Sequence, residues 1–383
     1  MSLKLTAVLF LLTGAITLKA QTADTINVVT TAVPFLRISP DARAGGMGDV
    51  GVATSADANS SFWNLAKAPF ATNPIGIGIT YTPWLKDLGL NDVYLLSAAG
   101  YFKLDDQTAL AASVRYFSLG NIQFTDDNGT NLQEGRPREF GIDVGYARKL
   151  GPKMGLGVAL RYIHSNLAGG FSQNGTNYKA GNAVAGDLSF YYNGSDETKS
   201  GWNFGAVLSN LGSKIGYTND ARQKDYIPAN LGIGAAYTSI IDENNKLTFG
   251  IDVHKLLVPT PPLPTGDQTQ DSVNIDKYRS KSVINSWFSS LGDAPGGFGE
   301  ELREFQVSLG GEYWYNNQFA FRAGYFWEDK TKGNRKYFTV GVGVKYNVFG
   351  FNFSYLVPSG NGTNRNPLSN TLRFGVVFDV DNK

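Results

Sequence analysis

The stretch Met154-Gly155-Leu156-Gly157-Val158-Ala159-Leu160-Arg161-Tyr162 alternates with a period of two. Met154, Leu156, Val158, Leu160 and Tyr162 share one face, and Gly155, Gly157, Ala159 and Arg161 share the other. Successive side chains point to opposite sides only in a strand, so this strand has an apolar face and a face that admits glycine and charge. The same division recurs in Phe140/Ile142/Val144/Tyr146 against Gly141/Asp143/Gly145. It recurs again in Phe338/Val340/Val342/Val344/Tyr346 against Thr339/Gly341/Gly343/Lys345.

Extended outward from these three, the pattern predicts strands near 75–83, 92–103, 107–118, 137–149, 154–165, 180–193, 201–211, 227–238, 246–257, 303–314, 318–328, 335–346, 350–358 and 368–378. That is about fourteen, and bacterial outer-membrane barrels have an even number. The links alternate in length. Loops at 84–91, 119–136, 166–179, 258–302 and 359–367 are interleaved with tight turns at Asp105-Asp106, Gly151-Pro152-Lys153, Asn316-Asn317 and Asn347 to Phe349. This phase predicts periplasmic turns and extracellular loops, with both terminal strands ending on the periplasmic side. A soluble sandwich or propeller also has short strands. It does not place aromatic residues at both ends of an outward face, as Phe319, Phe321, Tyr325 and Trp327 are placed. The expected class is all-β: a transmembrane antiparallel barrel of about fourteen strands, residues 75–383, with the long extracellular loop 258–302.

The composition agrees. Among 383 residues, 34 basic side chains face 33 acidic ones, 13% are aromatic, only 17% are charged, 45 are glycine and none is cysteine. Disulfides, thiolate metal sites and cysteine nucleophiles are therefore excluded, and a net charge of +1 offers no footprint for nucleic acid. Met1 to Ala20 carries Lys4, an apolar run Leu5 to Leu12 and the small-residue end Leu18-Lys19-Ala20, the form of a secretory signal peptide. Its apolar core is too short to cross a bilayer as a helix, and no later run is long enough either. An exported chain of this kind enters a membrane only as a closed barrel.

Residues 21–74 precede the first strand, and from 33 onward they are too patterned for a disordered leader. They are expected to fold into the lumen as a plug. The inward face is crowded with glycine (Gly141, Gly145, Gly155, Gly157, Gly205, Gly232, Gly234, Gly310, Gly324, Gly341, Gly343 and Gly375). Glycine weakens a strand unless something needs the space or the bend, so either a plug or barrel curvature accounts for it. Inward charges are mixed: Arg115, Arg161, Arg322, Lys345 and Arg373 against Asp143, Asp187, Asp252 and Glu312. A one-sign ring would point to an ion-selective pore. This set is self-neutralising and suits the anchoring of internal segments.

No motif carries catalytic chemistry. Gly46-Met47-Gly48-Asp49-Val50-Gly51 matches G-x-G-x-x-G in form but lacks the preceding buried strand and following helix that dinucleotide binding needs. His164 and His254 stand apart, without a nucleophile or metal-ligand spacing. Asp105-Asp106, Asp126-Asp127 and Glu300-Glu301 sit in connections, where acids serve turns and caps. The Asn-Gly-Thr triplets at 128–130, 174–176 and 361–363 are read as Asn-Gly turn chemistry on exposed loops. Loop 258–302 is different. After the proline-rich stretch 259–264 and a polar spacer, Ile284, Trp287, Phe288 and Leu291 follow i, i+3, i+4, i+7 spacing, which puts four bulky groups on one helical face. An exposed apolar stripe needs cover, either the barrel mouth or a partner protein, and partner docking is the preferred expectation.

Several longer motifs resemble a known family: Pro40-Asp41-Ala42-Arg43-Ala44-Gly45-Gly46-Met47-Gly48-Asp49, Asp293-Ala294-Pro295-Gly296-Gly297-Phe298, Gly311-Glu312-Tyr313-Trp314-Tyr315, Arg322-Ala323-Gly324-Tyr325-Phe326 and Gly333-Asn334-Arg335-Lys336-Tyr337. In this order, along nearly the whole mature chain, they resemble the PorV family of the Bacteroidota type IX secretion system. The resemblance implies an outer-membrane protein that binds the C-terminal signal domain of secreted cargo at an SprA-type translocon. It further implies delivery of that cargo to the cell-surface attachment complex, which joins it to lipopolysaccharide. No cofactor and no enzymatic activity are implied. More remotely, Arg43 to Pro69 is similar to the N-terminal hatch of FadL-type barrels, which would make Arg43, Gly45, Gly46, Gly48, Asp49, Trp63 and Asn64 hatch residues and would imply a channel for hydrophobic solutes. The Asn-Pro-Ala turn of that hatch reads Asn64-Leu65-Ala66 here, without the proline.

Overall fold

The computed structural model describes residues 26–380 apart from 127, 174–175, 197, 221–222 and 359–366. The expected signal peptide 1–20 and two of the Asn-Gly-Thr triplets lie wholly or partly outside the described residues. Fourteen strands form the barrel: Ile75–Pro83, Val93–Lys103, Thr108–Leu119, Arg138–Lys149, Met154–Asn166, Gly181–Asn193, Gly201–Gly212, Asn230–Ile240, Asn245–Leu256, Gln306–Tyr315, Phe319–Trp327, Lys336–Tyr346, Phe349–Leu356 and Leu372–Val380. Each pairs antiparallel with its neighbour in the chain. The first pairs with the last, from Ile75 opposite Val380 to Tyr81 opposite Phe374, so the cylinder closes without a free edge.

The period of two survives as inside and outside. In Met154–Asn166 the residues alternate between exposed and buried, and Val158 keeps 52% of its surface open. Ile142, Leu156, Phe249, Phe321, Phe338 and Phe351 are similarly open on neighbouring strands. A continuous apolar belt of this extent belongs in lipid. Aromatic groups mark its two borders. Tyr81, Tyr94 and Tyr116 contact one another in series near the loop ends of their strands, while Trp202–Tyr237 and Phe349–Phe378 contact near the turn ends.

Turn chemistry explains the tight links. Asn316, Asn317 and Asn347 have φ of 57°, 51° and 52°, and asparagine adopts this left-handed region more readily than most side chains. Three strands start three or four residues later than expected, for local reasons. The strand expected at 227 begins at Asn230, after Pro228, which has no N–H for a ladder. The strand expected at 303 begins at Gln306, because Leu302–Glu304 forms a 3-10 turn. The last begins at Leu372, behind a turn in which Thr371 N–H donates to the Leu368 carbonyl.

The long links carry structure of their own. Small hairpins pair Ile122–Thr125 with Asn131–Gly135 and Ile215–Gly216 with Lys224–Asp225. In the longest link the expected helix appears as Val283–Ser289, with the Ser282 hydroxyl accepting from the Asn285 N–H. The polar spacer before it is also a helix, Gln268–Ser280, started by the Asp267 carboxylate accepting from Thr269 and Gln270 N–H groups. It has no apolar face, so hydropathy alone misses it.

Residues 26–74 touch strands all around the cylinder, and only an interior path allows that. Val29 lies with Tyr226, Leu256 and Val258 at the loop end, while Val33, Phe35 and Leu36 pack on Leu95, Phe117 and Ile163 below them. Leu65, Ala68 and Ala71 pack on Tyr101, Ala109 and Ala147 at the turn end. The chain therefore descends through the barrel before its first strand rises.

Candidate functional site

The interior segment is held by main-chain groups meeting inward side chains. Asp252 accepts from the N–H groups of Gly51 and Val52 at 2.7 and 2.8 Å. Thr339 Oγ1 accepts from Gly48 N at 2.8 Å, and Arg115 donates to the Leu36 carbonyl at 2.7 Å. Asn64 donates to the Val52 and Phe190 carbonyls, both at 2.9 Å, and accepts from Ala66 N at 3.1 Å. Its amide thus ties two parts of the segment to the wall and starts the 3-10 turn Leu65–Phe70.

Charge is neutralised in clusters. Arg43 bridges Glu312 at 2.8 Å and Asp57 at 2.9 Å, and Glu312 also receives Arg322 at 2.7 Å. Arg161 meets Asp187 at 3.0 Å and Asp143 at 3.2 Å, and Ser113 donates to Asp143 at 2.6 Å. Of the two remaining expected residues, Lys345 meets Asp379 at 2.7 Å and Arg373 lies against Gly45. Asp49 accepts from the Tyr337 hydroxyl at 2.8 Å, and Trp63 donates to the Asp41 carboxylate at 2.5 Å. Sequence reasoning missed Asp41, Asp57 and Lys67. The Lys67 ammonium donates to the Gly51 carbonyl at 2.7 Å. Their side-chain and carbonyl partners Trp63, Arg43 and Gly51 lie 22, 14 and 16 residues away within the same segment, beyond the reach of a local pattern.

The glycines answer the question left open by spacing. Gly250, Gly310 and Gly324 stand side by side on three adjacent strands. A Cβ on Gly310 would sit 2.3 Å from the Met47 carbonyl oxygen, and one on Gly324 would sit 2.0 Å from the Met47 carbonyl carbon. Gly48, at φ 67°, approaches the Tyr325 backbone from the other side. The formal G-x-G-x-x-G match is thus a close-approach device between the segment and the wall. Cavities of about 510 and 370 Å³ lie toward the loops and the periplasm respectively, with residues 41–71 between them.

On the long loop, Ile284, Phe288 and Leu291 are open to solvent, Phe288 to 72%, while Trp287 is half-buried. Buried Ser286 and Ser290 form the opposite side of this helix. The loop is pinned beneath by ion pairs. Lys255 meets Glu301 and Glu304 at 2.6 Å each, and Lys332 meets Glu300 at 2.5 Å and Glu304 at 2.9 Å. The Glu300-Glu301 pair is therefore engaged in anchoring. His164 and His254 contact Asn182 and Asn230, and Asp105 caps its own turn by accepting from Gln107 and Thr108 N–H groups.

Burial works to raise the Glu304 carboxyl, but hydrogen bonds from Lys255, Lys332 and Thr260 more than offset it and hold it below the usual range. A depressed carboxylate stabilises fully above its unfolded value of about 4.3, and the contribution is lost as pH falls below that toward the folded value. Protease cleavage within 268–291 is accordingly expected to be flat from pH 5 to 8 and to rise only in stronger acid. Loosening near neutrality would contradict this tether.

A closed fourteen-stranded barrel with a lipid-facing apolar belt and an occupied lumen defines an outer-membrane β-barrel protein. A family model described as type IX secretion system protein PorV matches residues 20–263, and the chain belongs to that family. No curated protein matches the chain. Among solved structures, the Ralstonia pickettii toluene transporter TbuX is similar at 11% identity and a TM-score of 0.50, covering 88% of this chain and 97% of its own. The P. putida toluene transporter TodX aligns at 12% identity and a TM-score of 0.50, covering 90% and 99%. The monoaromatic hydrocarbon channel CymD aligns at 13% identity and a TM-score of 0.51, covering 90% and 98%. At these identities the likeness is one of fold. The family is described as a secretion-system protein, and these neighbours are described as transporters or channels.

Proposed function

We propose that this barrel serves type IX secretion as a surface receptor and carrier. The N-terminal segment acts as a permanent plug, and binding falls to the extracellular loops. The ligand is the C-terminal signal domain of cargo emerging from an SprA-type translocon, which the barrel passes to the complex that attaches cargo to lipopolysaccharide. One observation carries this reading: an apolar helix face, Ile284, Phe288 and Leu291 with Trp287 beside it, is held outward on a loop anchored by buried ion pairs. A rigid aromatic patch that a protein does not cover itself suits a partner protein.

Replacing Trp287 and Phe288 together by alanine is expected to weaken co-purification with translocon or cargo at least about tenfold. Heat-modifiable migration of the barrel on gels should stay normal. Undiminished co-purification would refute the assignment.

The second reading, a channel for hydrophobic solutes, is favoured by the fold likeness to toluene transporters and by aromatic lining in the larger cavity. It requires transfer past residues 41–71. Uptake of labelled fatty acid or toluene into liposomes carrying the protein, absent from empty liposomes, would select it.

A further inference from the structure

Before it enters the lumen, the interior segment crosses the loop rim. Ile26 is 72% exposed there, and the next residues bind three different links. Asn27 donates from its main chain to the Thr331 carbonyl at 3.1 Å and from its side chain to the Pro261 carbonyl at 3.2 Å. The Ala32 N–H donates to the Tyr226 carbonyl at 2.9 Å, and Val29 is buried against Tyr226, Leu256 and Val258. One short stretch thus ties together the links that follow strands Gly201–Gly212, Asn245–Leu256 and Phe319–Trp327. Tyr226 carries the connection onward. Its ring meets Tyr278 edge-on, with centroids 5.6 Å apart, and its hydroxyl lies 3.1 and 2.9 Å from the carbonyls of Tyr278 and Lys281. Lys214, 4.2 Å over the same ring, donates to the Arg279 and Lys281 carbonyls at 2.5 and 2.8 Å. Carbonyls at the end of the helix Gln268–Ser280 have no partners inside it, and that helix buries none of its residues, so contacts at this end set its position. Lys281 in turn donates to Ser289 Oγ at 2.8 Å, the last residue of the helix that carries Phe288.

Val33, where the stretch turns into the lumen, has φ 47° and ψ 51° and precedes Pro34. A β-branched side chain avoids this left-handed region, and a residue before proline avoids helical backbone as well. Such a conformation lasts only while the groups on both sides hold it. Val33 is itself buried with Phe35 and Leu36, so the rim stretch and the lumen stretch seat together. We propose that residues 26–32 are a clasp: seated, they order the long loop that presents Phe288, and a barrel whose interior segment is out of place leaves that loop loose. Docking competence thereby reports that the segment has been threaded. This role in docking rests on the partner-binding reading of the loop, whereas the ordering itself does not.

The test is hydrogen exchange on the full mature chain in lipid nanodiscs, with no partner present. Val29→Asp places a charge among Tyr226, Leu256 and Val258 and is expected to accelerate exchange across 268–291 about tenfold or more, while the barrel strands keep wild-type rates. Tyr226→Phe keeps the packing, removes only the hydroxyl and should accelerate exchange about threefold, confined to 276–289. Wild-type rates across 268–291 in the folded Val29→Asp barrel would overturn the clasp, and so would equal acceleration in the strands. Where Val29→Asp gives no heat-modifiable barrel, wild-type rates in Tyr226→Phe overturn it instead. Co-purification with translocon or cargo separates the clasp from the docking reading. Loss in both Val29→Asp and Trp287→Ala/Phe288→Ala supports the two together. Undiminished co-purification of Trp287→Ala/Phe288→Ala refutes the docking reading alone, and the exchange rates still decide the clasp. Undiminished co-purification of a loosened Val29→Asp barrel, with loss in Trp287→Ala/Phe288→Ala, overturns the role of the clasp in docking.

Discussion

Replacing Gly324 with valine is expected to prevent the interior segment from seating, with a loss of about 3 kcal/mol in the stability of the purified barrel. The side chain would have to occupy space already taken by backbone, since even the Cβ would lie 2.0 Å from the Met47 carbonyl carbon and 2.1 Å from Gly48 N. Neither atom belongs to a flexible side chain that could swing away. Gly48 is at φ 67° and bound to Thr339, so the opposing loop has no room to retreat. The urea midpoint in micelles should fall, and trypsin should reach Arg43 and Lys67, which are protected in the native form. Gly350→Ala provides the control. It lines the periplasm-side cavity, and its Cβ would meet only Val377 at 3.5 Å, so its stability should stay within about 0.5 kcal/mol of wild type. If both variants behave alike, the inward glycines serve curvature and not the fit of the segment.

Glu312→Gln should cost about 3–5 kcal/mol, the range for removing one partner of a buried ion pair. Glu312 is 2% exposed and accepts from both Arg43 and Arg322, so the substitution leaves two guanidinium groups facing a neutral amide. Hydrogen exchange should accelerate across 42–63, because Arg43 is the link from the wall to Asp57 and Ser55 within the segment. Adding Arg43→Gln to Glu312→Gln should cost less than the sum of the single changes, since both substitutions break the same Arg43–Glu312 pair. Strict additivity would mean that the cluster does not work as a unit.

Much of this molecule was legible residue by residue. The alternation in 154–162 is a local property, since neighbouring side chains on an extended backbone have no choice but to face opposite ways. Link lengths and the asparagine turns at 316–317 and 347 are equally local, and the i, i+3, i+4 spacing of Ile284, Trp287 and Phe288 reports its helix without help from the rest of the chain. The helix Gln268–Ser280 was not legible because its apolar residues, Val273, Ile275 and Tyr278, do not follow helical spacing and give no periodic face to read. The binding partners of the lumen charges were not legible for a different reason. Arg43 and Glu312 are 269 residues apart, and Gly51 and Asp252 are 201 apart.

Sequence by itself therefore determined that the chain is a cylinder of strands, greasy outside and tolerant of charge within, with its long connections on one rim. Tertiary structure alone decided that the glycine row of Gly250, Gly310 and Gly324 is a groove for Met47 to Val50, and that among the described residues Arg161 and Arg322 find carboxylates within 4 Å while Arg115 and Arg373 do not. Periodicity fixes which face a side chain takes. Which groups meet across the interior depends on strand register and on the path of the segment threaded through it, and neither is written in any local pattern.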